Sequence, residues 1–115
     1  MKILNRVKGD VNEELAVRYL KKNTKMKVIG RNYVNKIGEI DIIAKDLDTI
    51  VFIEVKYRST AKYGYGREAV DDNKQWKIRN VAQMYLKENG KLDTKARFDV
   101  VDILGDEITY IPNAF

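Results

Sequence analysis

Apolar positions along the chain follow two rhythms. Residues 10–22 set Val11, Leu15, Ala16, Tyr19 and Leu20 at helical spacing, and residues 68–89 do the same with Lys74, Ile78, Val81, Ala82, Tyr85 and Leu86. Short runs rich in Ile, Val and Phe predict strands over 26–34, 38–45, 50–58, 97–104 and 107–111, the last stopped by Pro112. Asn23 and Gly90 end the two helices. The order helix, three strands, helix, two strands predicts an α/β sandwich in which one mixed sheet is flanked by helices. With 115 residues the chain is expected to form a single domain with a substantial core.

The second and third strands break the apolar pattern. They carry Glu39, Asp41, Glu54 and Lys56 among residues whose composition predicts burial, and buried strands seldom hold charge without a reason. Side chains alternate along a strand, so Glu54 and Lys56 should share a face, as should Glu39 and Asp41. A tight turn at Asp46, Leu47 and Asp48 sets residues opposite one another when their numbers sum to 95. Asp41 then faces Glu54, and Glu39 faces Lys56 as its structural partner. Like charges directly opposed destabilise a sheet, and a divalent cation between Asp41 and Glu54 would remove that penalty.

Composition narrows the chemistry. The chain has neither histidine nor cysteine, which excludes disulfides, thiol and histidine-based catalysis and the usual zinc sites. A metal must therefore be held by oxygen, which suits Mg2+ or Mn2+. The net charge of +5 favours a polyanionic partner. Without a long apolar run or a signal-peptide pattern, a cytoplasmic protein with no membrane association is expected.

Other positions have competing readings. Glu13 lies at the edge of the first apolar stripe, either as the capping-box partner of Asp10 or as a site residue. The segment 59–67, STAKYGYGR, is either a plain connection or a nucleic-acid contact. In the second case Tyr63 and Tyr65 stack on bases while Lys62 and Arg67 meet phosphates. Lys74 either snorkels to water or reaches the carboxylates and a bound phosphate. Trp76 projects from the opposite face of that helix, as a partner contact or a partly covered surface aromatic.

Acid, any residue, lysine is a weak pattern in so charged a chain, and it occurs three times: Glu54 to Lys56, Asp72 to Lys74 and Asp93 to Lys95. Only the first lies inside an apolar strand. The run GEIDIIAKDLDTIVFIEVKYR, with the upstream NEELAVRYL, the RNY segment, the helix near Lys74 and the later RFDVV, closely resembles the YraN family of bacterial proteins. Those proteins look like PD-(D/E)xK nucleases and share the pattern of archaeal Holliday junction resolvases. The resemblance implies a restriction-endonuclease-like three-layer fold, with Asp41, Glu54 and Lys56 as the motif residues and Glu13 as the acid on the first helix. Ile40 stands where the pattern usually has proline, and Asn12 where it usually has glycine.

In such a site Asp41 and Glu54 are metal ligands, with the backbone carbonyl of Val55 as a third and Glu13 holding a ligand water or a second metal. Lys56 sits beside the attacking water, as a neutral base or a charged stabiliser. Arg58 joins Lys62, Tyr63, Tyr65, Arg67 and Lys74 as candidate nucleic-acid contacts. The leading expectation is a Mg2+- or Mn2+-dependent endonuclease acting on DNA, with branched or structured DNA as its candidate substrate, working as a homodimer. The alternatives are a nucleic-acid-binding module that keeps the fold without cutting, and a buried charge network with no ligand.

Overall fold

The computed structural model describes residues 2–59 and 70–115, with side chains in the first stretch described from residue 11 onward. The element order is α1 (Lys2–Asn23), β1 (Lys27–Val34), β2 (Glu39–Asp46), β3 (Thr49–Arg58), α2 (Asp72–Glu88), β4 (Lys95–Leu104) and β5 (Glu107–Ile111). The five strands form one sheet in the order β1-β2-β3-β4-β5. All neighbours are antiparallel except β3 and β4, which run parallel and are joined through α2.

The helices cover opposite faces of the sheet. Ala16, Val17 and Leu20 of α1 pack on Ile42, Ala44, Val51, Ile53, Val101 and Ile103. Ile78, Val81, Ala82 and Leu86 of α2 pack on Ile40, Ile43, Ile50, Phe52 and Val100. Neighbouring residues of β3 are thus buried on opposite sides, Val51 and Ile53 under α1 and Ile50 and Phe52 under α2. This explains why β3 reads as a continuous apolar run.

Both helices differ from the sequence expectation at one end. α1 runs from Lys2 through residue 10, so Asp10 lies within the helix instead of capping it. Its inward face is also rotated from the expected stripe: Glu13, Ala16, Val17 and Leu20 are buried, whereas Val11 and Leu15 are exposed. α2 begins at Asp72, where Asp71 accepts a hydrogen bond from the Lys74 backbone N–H at 2.8 Å, the usual office of an N-cap aspartate. Trp76 is 61% exposed, on the side away from the core as its spacing predicted.

The hairpin register follows the expected sum of 95 from Asp46↔Thr49 through Ile42↔Ile53. Strict alternation then breaks. Ile42 and Ala44 lie under α1, but Ile40 lies under α2 with Ile43, so the strand changes faces at Asp41. β1 changes in step: its ladder with β2 passes from Arg31↔Ile42 to Tyr33↔Ile40, and the intervening Asn32 takes a left-handed conformation with φ 53°. Asparagine tolerates that region better than most side chains.

Candidate metal and nucleic-acid site

The face change at Asp41 creates the site. Past Ile42↔Ile53 the β2–β3 ladder stops, and the Asp41 side chain turns across the gap toward β3. Its Oδ2 accepts a hydrogen bond from the backbone N–H of Val55 at 2.8 Å. This carboxylate takes the place of a ladder carbonyl and is anchored between the two residues, Glu54 and Lys56, that flank Val55.

Glu54 lies beside it and is only 7% exposed. Its pKa is pushed up to about 8, first by burial, then by the charge of Asp41 and a hydrogen bond to it; Lys74 and Lys56 act in the opposite direction. Lys74, from the first turn of α2, brings Nζ to 4.0 Å from Glu54 Oε1 while remaining 42% exposed. The expected Lys74 approach to the carboxylates is therefore present. Lys56 is half-buried two residues along β3 and stands in parallel register with Asp102 of β4.

Two expected relationships are corrected. Glu39 does not face Lys56, because the antiparallel ladder ends before that rung; Glu39 pairs in register with Val34 of β1 instead. Nor does it share a face with Asp41 in the simple alternating sense, since the strand turns over between them. Arg58, expected as a nucleic-acid contact, pairs with β4: its Nη2 donates to both oxygens of Asp102 at 2.8 Å, and the two side chains are 11% and 6% exposed. Among the described residues its Nε and Nη1 find no acceptor. Lys62, Tyr63, Tyr65 and Arg67 lie outside the described residues.

Glu13 is buried, but its neighbour is one that sequence reasoning missed. With its amide nitrogen turned toward the carboxylates, Asn32 donates to Glu39 Oε1 at 3.2 Å and to both oxygens of Glu13, the longer of these contacts being 3.1 Å. Glu14 points outward, where Arg31 and Arg18 pair with it. The acidic residues near the break are thus divided: Asp41 with Glu54 toward β3, and Glu13 with Glu39 around Asn32. Among the described residues no three acidic side chains gather into a ready cation site. The signal for Asn32 in the sequence was its position in an irregular stretch of β1, which gives location without partner.

A second polar network lies on the α1 face of β4, also unforeseen. Asp99 is fully buried and accepts from Arg97 Nε, from the Asn113 backbone N–H at 2.9 Å and from the Tyr110 hydroxyl. Arg97 Nη1 reaches Asp46 at 2.9 Å. This network ties the hairpin turn and the C-terminal strand to β4 and has no member in the carboxylate site.

No helix among the described residues is long and apolar enough to cross a membrane. The model of a family described as "Uncharacterised protein family UPF0102" matches residues 12–103. A UPF0102 protein of Fusobacterium nucleatum is 49% identical over 105 residues, covering 91% of this chain and 87% of its own. One from Clostridioides difficile is 47% identical over 96% of this chain and 98% of its own, and one from Persephonella marina 40% over 95% and 93%.

Proposed function

The chain belongs to the uncharacterised protein family UPF0102, and we propose that it is a metal-dependent endonuclease of the PD-(D/E)xK type, hydrolysing phosphodiester bonds in DNA. The observation that carries this reading is the placement of Asp41 against β3, with its carboxylate on the Val55 N–H and Glu54 and Lys56 on either side of that bond. Two acids and a lysine converge where the sheet opens, the constellation a phosphodiesterase of this type requires.

The donors suit a hard divalent ion. Asp41 and Glu54 offer only oxygen, and Glu54 is buried with Lys74 Nζ at 4.0 Å. Asp41 and Glu54 would hold Mg2+ or Mn2+, with the Val55 carbonyl as a further oxygen. Such an ion supplies Lewis acidity toward the scissile phosphate and its water nucleophile. Asp41 is pre-aligned by the Val55 bond, so little ordering remains to be done on binding. Lys56 would orient or deprotonate the attacking water, and Lys74 would meet a non-bridging phosphate oxygen. The net charge of +5 supports a polyanionic substrate. Branched or structured DNA is the candidate substrate, and a homodimer would bring two such sites to two strands.

A second reading, nucleic-acid binding without cleavage, is favoured by one observation: no third acidic side chain joins Asp41 and Glu54 among the described residues. The two are separated by incubating the protein with linear, flapped and four-way DNA in Mg2+ or Mn2+, alongside Asp41→Ala and Lys56→Ala. Cleavage by the native chain, lost in both variants while DNA binding persists, supports the nuclease. Binding without any cleavage, or equal cleavage by the variants, overturns it.

A further inference from the structure

Asn32 occupies the one point where β1 and β2 both change faces. Its rung neighbours Arg31 and Tyr33 pair with Ile42 and Ile40, which places it across from Asp41. Its left-handed backbone, φ 53°, turns the side chain toward α1, where the amide meets Glu39 and Glu13. Two carboxylates from different elements, one on α1 and one on β2, thus both meet the Asn32 amide. An amide nitrogen has two hydrogens, enough for one bond to each acid.

We infer that Asn32 is a positioning residue that holds Glu13 and Glu39 apart from the Asp41–Glu54 pair, so that the chain takes one divalent ion and not two. This deepens the nuclease reading and rests on it. Glu13 is the acid the family resemblance makes available to a ligand water or a second ion. In this chain Glu13 is engaged by the amide of Asn32. The amide also links α1 to the break in the sheet, fixing the helix against the strands that carry the ligand pair.

The test uses 15N-labelled full chain and Mg2+ as the probe. Without metal, the Asn32 side-chain NH2 signals should be displaced from the free-amide position, and Glu13→Gln should move them back toward it. On titration with Mg2+, the Val55 backbone amide should shift while the Asn32 signals stay, and calorimetry should give one Mg2+ per chain. Asn32→Asp, which replaces the donor by a third acid, should raise the stoichiometry to two. Release of the Asn32 amide by Mg2+, or two ions bound to the native chain, overturns the inference. If Mg2+ shifts nothing, the metal-dependent reading and the single-ion statement both fall. The hold on Glu13 is then decided by the metal-free signals: displaced signals uphold it, and signals at the free position overturn it.

Discussion

The carboxylate of Asp41 accepts the backbone N–H of Val55 at 2.8 Å, across the point where the β2–β3 ladder ends. One side chain thereby serves as both a structural acceptor and a candidate ligand. Substitution can separate these roles. Asp41→Asn retains an oxygen for Val55 and should leave stability within about 1 kcal/mol of native, whereas Asp41→Ala should cost about 1–3 kcal/mol by stranding a buried donor. Both should abolish Mg2+-dependent cleavage. Urea unfolding and a cleavage assay on the same preparations measure the two effects.

Glu54 makes the metal-free protein sensitive to pH. Its folded pKa of about 8 lies above the ordinary 4.5, so the folded state keeps a proton that the unfolded chain releases between those values. The stabilising effect of that proton is complete below pH 4.5 and declines as the pH rises to about 8. Between pH 6 and pH 8.5 native stability should fall relative to Glu54→Gln by on the order of 3 kcal/mol. Added Mg2+ should oppose the fall at the alkaline end. Denaturant titrations of both proteins at pH 6 and pH 8.5 give the comparison.

Lys74 stands half in solvent, 4.0 Å from Glu54. Lys74→Ala should alter stability by less than about 0.5 kcal/mol, as expected for a partly exposed pair. DNA affinity should drop, and the slope of log affinity against log salt should become shallower by about one unit. Filter binding between 50 and 200 mM salt would register this, and an unchanged slope would remove Lys74 from the phosphate contacts.

The Arg58–Asp102 pair is a different case, since both partners are buried. Removing Asp102 takes from the buried Arg58 guanidinium its carboxylate partner, and Asp102→Ala should cost about 3–5 kcal/mol. For a domain of this size that corresponds to a fall in Tm of roughly 10–20 °C. Arg58→Met combined with Asp102→Leu should recover much of the loss. Calorimetric melting of the single and double variants decides whether the pair is structural.

Much of the fold was legible because its signals are periodic and local. The hairpin register could be read from one turn, and it holds from Asp46 to Ile42. The α2 face needed only helical spacing. What escaped the sequence was set by backbone geometry or by distant partners. The face change at Asp41 lies across from Asn32 in a neighbouring strand, and the ladder ends before Glu39 reaches the partner that alternation assigned to it. The pairing of Arg58 was invisible because its acid lies 44 residues away on β4. The rotation of α1 reflects its docking on the sheet, which buries Val17 instead of Val11.

The hairpin has a kinetic consequence as well. Asp41 and Val55 are 14 residues apart, whereas Arg58 and Asp102 meet only after the chain has passed through α2 and returned as a parallel strand. Hairpins close within about 1–10 μs, and contacts of long sequence separation come later. The two acids are therefore assembled early, and the strand that shields their flank arrives afterwards. During that interval the repulsion between Asp41 and Glu54 acts on a half-built sheet, and a proton, or the proposed divalent ion, would relieve it.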